Sequence, residues 1–177
     1  VRGNILSSMT FVLGGAASGK SQIAENIIIN SGLKPIYLAT SRICDDEMRI
    51  KVDQHSARRD ATWTTIDAPV DVTTPLRAAR SDQAVLLDCA TMWLTNVMLD
   101  ELDLARAQAD LLAALRACPA PVVVVSNEVG GGIVPDNALA RRFREAQGRL
   151  NIALAGQASC VIHVVAGLAQ TLKGVAQ

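Results

Sequence analysis

Gly14-Gly15-Ala16-Ala17-Ser18-Gly19-Lys20-Ser21 fits GxxxxGK[ST] without a mismatch. Glycines in such a loop let the backbone curl until successive N–H groups point inward, and the nest closes onto a helix N-terminus that favours anions. Lys20 is then placed to reach the outer phosphates of a nucleotide. The Ser21 hydroxyl is placed as a ligand of Mg²⁺, an ion that keeps most of its water and takes the rest of its shell from phosphate and one or two side chains. A second candidate ligand is Asp88, which closes the apolar run Ala84-Val85-Leu86-Leu87. An acid at the end of a buried strand is the form of a Walker B element, which holds the ion directly or through water.

Both features need a sheet behind them. Thr10-Phe11-Val12-Leu13 reads as a strand entering the loop, and Gln22 to Ile28 as the helix leaving it, with Ile23 and Ile27 on one face. Further strands are expected at Ile36–Ala39, Val85–Leu87, Val122–Val125 and Val161–Val165, separated by helical or mixed segments. That alternation predicts an α/β fold of the P-loop NTPase type, RecA-like or Rossmann-like, with a mainly parallel central sheet flanked by helices. Thr40 and Ser41, at a strand's carboxyl end, are expected near the nucleotide, because ligands of open α/β sheets collect there.

Less regular stretches carry weaker expectations. Asp45-Asp46-Glu47 opens a predicted helix on which Met48, Val52 and His55 share a face, so on spacing alone His55 reads as a packed side chain. Arg58 and Arg59 beyond it are suited to neutralising phosphate. Trp63 to Asp67 suggests a short strand or an extended loop, and Val70 to Arg80 a helix. Helices are also expected at Leu104–Ala117 and, capped by Asp136 or Asn137, at Ala138–Ala158. Arg141, Arg142, Arg144 and Arg149 on the latter read as a solvated basic face. The glycine-rich Ser126–Pro135 stretch reads equally as a ligand-approaching loop or a plain connector. His163 reads as a hydrogen-bonded core histidine, and Leu168 to Lys173 as a short added strand.

Composition narrows the field. A chain of 177 residues is expected to form a single domain over 9–177, with 1–8 as a disordered leader. Half the residues are apolar and the formal net charge is zero, so overall charge favours neither nucleic acid nor an anionic membrane as a partner. No apolar run approaches the roughly 20 residues that a membrane helix requires. Cys44, Cys89, Cys118 and Cys160 form no CxxC pair, and the spacing reads as cytosolic thiols, giving a cytoplasmic expectation.

A more specific pattern joins these pieces. The P-loop, Ala39-Thr40-Ser41, Asp45-Asp46-Glu47-Met48, the histidine of Asp53-Gln54-His55 with Arg59 and Trp63 beyond it, Asn127-Glu128-Val129-Gly130 and Gly132-Ile133-Val134-Pro135 resemble one family in order and spacing. Arg141-Arg142-Phe143-Arg144 and Gly148-Arg149-Leu150-Asn151 extend the likeness, which runs from about Met9 to Lys173. The family is the bifunctional adenosylcobinamide kinase/adenosylcobinamide-phosphate guanylyltransferase. The resemblance implies phosphorylation of the aminopropanol hydroxyl of adenosylcobinamide by ATP or GTP. It also implies guanylylation of a histidine by GTP and transfer of GMP to adenosylcobinamide phosphate. By motif position that histidine is His55, and an imidazole with an ordinary pKa of about 6.5 is a competent nucleophile. Implied GTP contacts are Gly14 to Ser21, Ala39 to Ser41, Ser56, Ala57, Arg58, Arg59, Asp67 and Asp88. Two positions depart from the family: Asp67 stands where Glu is usual, and Gly131 where a large residue is common. A homo-oligomer, a trimer, is implied as well.

Two other readings share the P-loop: a kinase of another small hydroxylated metabolite, with His55 merely structural, and a non-catalytic nucleotide switch.

Overall fold

A computed structural model describes residues 8–42 and 61–175. The expected helix from Asp45, together with His55, Ser56, Ala57, Arg58 and Arg59, lies outside the described residues, as do Cys44 and residues 1–7.

Among the described residues seven strands form one sheet. In chain order the elements are β1 (Met9–Gly14), α1 (Lys20–Asn30), β2 (Lys34–Ala39), β3 (Thr64–Asp67), α2 (Thr73–Ala78), β4 (Gln83–Asp88), α3 (Ala90–Leu99), α4 (Leu104–Ala117), β5 (Val122–Asn127), α5 (Ala138–Gln157), β6 (Cys160–Val165) and β7 (Leu168–Lys173). The strand order is β3-β2-β4-β5-β1-β6-β7, parallel throughout except for β7, which pairs antiparallel with β6. The five expected strands are all present, Trp63–Asp67 supplies a parallel edge strand, and Leu168–Lys173 supplies the other edge.

The apolar runs are explained by two-sided burial. On one face Val12, Tyr37, Leu86, Val123 and Val125 pack under Ala24 and Ile28 of α1. On the other, Phe11, Leu38, Leu87, Val122 and Val124 meet Leu94 and Val97 of α3, Leu111 and Leu115 of α4, and Leu150 and Leu154 of α5. Strands covered on both faces need no polar alternation. Thus α1, which follows β1, and α5, which follows β5, leave neighbouring strands for opposite faces of the sheet. That divergence opens a crevice beyond the carboxyl ends of β1 and β5, the place where ligands of such sheets bind.

Helix boundaries follow local chemistry. Asn137, not Asp136, caps α5, its Oδ1 accepting the Ala140 N–H at 2.7 Å. The helix expected from Val70 to Arg80 contracts to α2. Asp71 accepts the N–H groups of Thr73 and Thr74 at 3.1 and 3.0 Å, which starts the helix there, and Ala79 is already extended at ψ 149°. No described helix is long and apolar enough to cross a membrane.

Candidate functional site

The phosphate loop is built by close backbone approach. A Cβ on Gly14 would stand 2.5 Å from Ser18 Oγ and 2.6 Å from the Val164 carbonyl, so only glycine can end β1 there. Ala17 and Gly19 take left-handed conformations, at φ 53° and 93°, which coil the loop into the first turn of α1. Gly19 has no side-chain cap to offer, and the first-turn N–H groups of α1 are left to an anion. Lys20 folds over the loop, donating to the Gly15 carbonyl at 3.1 Å. The far side is held by β6–β7, where Gly167 N–H donates to the Ser18 carbonyl at 2.8 Å.

Asp88 is buried at the end of β4 and accepts the Tyr37 hydroxyl on Oδ2 at 3.3 Å. The Tyr37 ring meets Trp63 edge-on, with centroids 6.4 Å apart. In the ladder Asp88 pairs with Ala39, and Ala39 with Asp67, so three sequence-derived positions stand in a row across β4, β2 and β3. Strand alternation turns Asp88 to the α1 face, with Tyr37 and Leu86. Burial first, then the neighbouring Asp88 carboxylate, push the Cys89 thiol up to about 11, while Lys20 acts in the opposite direction. Lys20 and Asp88 therefore share one electrostatic neighbourhood, and Cys89 remains a neutral thiol unsuited to nucleophilic work.

The two hydroxyls placed together by sequence part company. Thr40 is fully buried; its Oγ1 donates to the Cys89 carbonyl and accepts the Cys89 N–H, both at 2.8 Å. It ties β2 to the start of α3. Ser41 is half-buried and makes no hydrogen bond among the described residues. Beyond it Arg42 forms a bidentate pair with Asp100, at 2.7 and 2.6 Å, fixing the chain where it leaves β2 to the end of α3.

Sequence reasoning missed a buried network at the end of β5. Ser126 Oγ donates to Asn151 Oδ1 at 2.7 Å and accepts from Gln147 at 2.9 Å, while Thr91 Oγ1 takes the Asn127 N–H at 2.8 Å. A signal was present: Gln147 and Asn151 lie within the apolar stripe that holds Leu150 and Leu154. The arginines differ from a plainly solvated face. Arg144 donates to the carbonyls of Gly130 and Ile133, and Arg141 to those of Pro135 and Asp136, so both strap the glycine-rich loop to α5. His163 is half-buried beside Leu13, and its ring makes no hydrogen bond among the described residues.

A ligand-shaped deficit remains at the loop. Ser18 Oγ and Asn127 Oδ1 are buried without a hydrogen-bond partner, and Asn127 is the ladder partner of Gly14. Among the described residues no group of three or more His, Cys, Asp or Glu could hold a metal ion.

The model of the cobinamide kinase/cobinamide phosphate guanyltransferase family matches residues 10–172. The chain belongs to that family. It is 41% identical over 166 residues to the bifunctional adenosylcobalamin biosynthesis protein CobP of Pseudomonas aeruginosa, covering 92% of this chain and 96% of the relative. It is likewise 41% identical over 181 residues to CobU of Salmonella typhimurium, covering 93% and 99%. Among solved structures, the flagellar accessory protein FlaH of Methanocaldococcus jannaschii superimposes with a TM-score of 0.51 at 13% identity, over 99% of this chain and 85% of that one. An ATPase of the type III secretion system of pathogenic bacteria does so with a TM-score of 0.58 at 13% identity, over 94% and 58%. At this identity the likeness is one of fold: a mainly parallel sheet flanked by helices.

Proposed function

We propose that this member of the family performs both of its reactions, as a kinase of adenosylcobinamide and a guanylyltransferase to adenosylcobinamide phosphate. The observation that carries the reading is the intact cradle Gly14–Ser21, with Lys20 over its mouth and Asp88 on the same face, in a chain matched by the family model from residue 10 to 172.

In the first reaction the aminopropanol hydroxyl oxygen attacks the γ-phosphorus of ATP or GTP. The bond to the β-phosphate oxygen breaks, the nucleoside diphosphate leaves, and the hydroxyl proton passes to solvent or a nearby base. Lys20 and the α1 N-terminus offset charge on the phosphoryl oxygens, and positioning supplies the rest. In the second reaction an imidazole nitrogen of His55 attacks the α-phosphorus of GTP and pyrophosphate leaves. A phosphate oxygen of adenosylcobinamide phosphate then attacks the same phosphorus, the P–N bond breaks, and adenosylcobinamide-GDP forms with the histidine regenerated. Arg58 and Arg59, close to His55 in sequence, are suited to the phosphate charge in that step. Mg²⁺, held by Ser21 and Asp88 with the phosphates, would neutralise charge on the triphosphate.

Within this reading the protein works in the cytoplasm as a homo-oligomer, a trimer. Incubation with α-labelled GTP, followed by denaturation, should leave acid-labile label on the protein. Label from γ-labelled nucleotide should appear on cobinamide. A kinase of another metabolite would show neither, and a nucleotide switch would bind nucleotide without transferring it.

A further inference from the structure

Beyond the carboxyl end of the sheet, on the face opposite α1, lies a cavity of about 330 Å³ between α3 and the start of α5. Its walls are Thr95, Met98 and Leu99 on one side and Leu139, Ala140 and Phe143 on the other, with Asn137 at the rim. Among the described residues none of the lining carries a charge. Leu99 and Leu139 are 64% and 54% exposed, and Ile133 and Val134, on the loop leading to α5, are exposed as well. The Thr95 hydroxyl is spent on the Thr91 carbonyl at 2.9 Å. Asn137 uses only its Oδ1 as a cap, which leaves its amide N–H groups free to donate.

We infer that this cavity receives the corrin ring side of the cobinamide substrate, an inference that rests on the function proposed above. Charge argues against a second nucleotide, whose phosphates need cations that the described lining does not supply. A broad macrocycle with apolar edges and carboxamide arms meets aliphatic and aromatic walls here, and one amide donor at the rim. The connection to the phosphate loop agrees. Thr95 stands one helical turn from Thr91, whose hydroxyl binds the Asn127 N–H, and Asn127 is the ladder partner of Gly14. The cavity wall is thus tied through Thr91 and Asn127 to the strand end that enters the phosphate loop, on the side from which an arm carrying the reacting hydroxyl would extend. Arg141 and Arg144 fix the carbonyls of the adjoining loop, so the wall is held in place before substrate arrives.

Two variants test this. Ala140→Trp fills the cavity. Leu139→Asp places a charge on its rim, in the first turn of α5 where an acid suits the helix dipole and folding is spared. Steady-state phosphorylation with γ-labelled nucleotide should show the KM for cobinamide raised about tenfold or more in both, equivalent to ~1.4 kcal/mol. The KM for nucleotide and the yield of protein–GMP adduct should stay within about twofold of wild type. Unchanged KM for cobinamide in folded variants overturns the assignment. So does an altered oligomeric mass with that KM unchanged, since the cavity then faces a second copy of the chain. A wild-type protein that binds nucleotide but never phosphorylates cobinamide defeats the functional reading itself, whatever the variants do.

Discussion

Thr40→Val separates two roles for a residue at the mouth of the crevice. The side chain is fully buried, and its hydroxyl both donates to and accepts from the Cys89 backbone at 2.8 Å. Valine keeps the shape and removes both bonds. The Cys89 carbonyl retains the Trp93 N–H at 3.1 Å, but the Cys89 N–H is left with no acceptor. An orphaned buried donor costs about 1–3 kcal/mol and a lost ordinary hydrogen bond about 1 kcal/mol, so the variant should lose roughly 3 kcal/mol. For a chain of this length each kcal/mol lowers Tm by about 2–4 °C, which gives a fall of roughly 6–12 °C in a thermal melt. Thr40→Ser, which keeps the hydroxyl, should recover most of it. Nucleotide affinity, measured by calorimetry well below the melting temperature, should change by less than about threefold. A valine variant that melts with the wild type yet loses nucleotide affinity would refute the argument and put the hydroxyl on the nucleotide.

Lys20→Ala removes the fixed cation over the phosphate loop, and turnover in both reactions should drop about a hundredfold or more with the melt unchanged. His55→Asn should abolish the protein–GMP adduct, read as acid-labile, alkali-stable label, while nucleotide binding persists; label that survives in the variant identifies another nucleophile. Hydrogen bonds from Lys34, then Arg80, hold the Asp82 carboxyl down to about 2 from its ordinary 3.8. The folded state thus prefers the carboxylate, and this contribution is present above the unfolded value and lost as pH falls from about 3.8 towards about 2. Asp82→Asn should flatten the acid limb of a stability profile in that window, and an unaltered limb would show the pair contributes nothing.

The P-loop and the buried strands were legible because their signals are local: a fixed spacing of Gly, Lys and Ser, and apolar runs too continuous for a half-exposed sheet. What escaped is non-local. Thr40 reads as a strand-end hydroxyl until the fold brings Cys89 against it, 49 positions away in the chain. Arg141 and Arg144 are a basic helical face in one dimension and loop anchors in three, because the carbonyls they bind belong to a turn that folds back. The shortening of α2 came from competition within the segment, where Asp71 capped Thr73 and Thr74 and so began the helix later than periodicity suggested.

The phosphate loop and Asp88 do not stand on neighbouring strands, since β5 lies between β1 and β4. Two strand spacings, about 10 Å, separate them, and the end of β5 keeps them in register. It does so from both sides. Glu128 N–H donates to the Gly14 carbonyl at 3.0 Å, which locks β5 to the phosphate loop, while Thr91 of the helix that follows Asp88 receives the Asn127 N–H. Ser126, Gln147 and Asn151 complete the tie to α5 with neutral groups only. Amides and hydroxyls give direction at this strand end without adding a further charge to the neighbourhood that Lys20 and Asp88 already share.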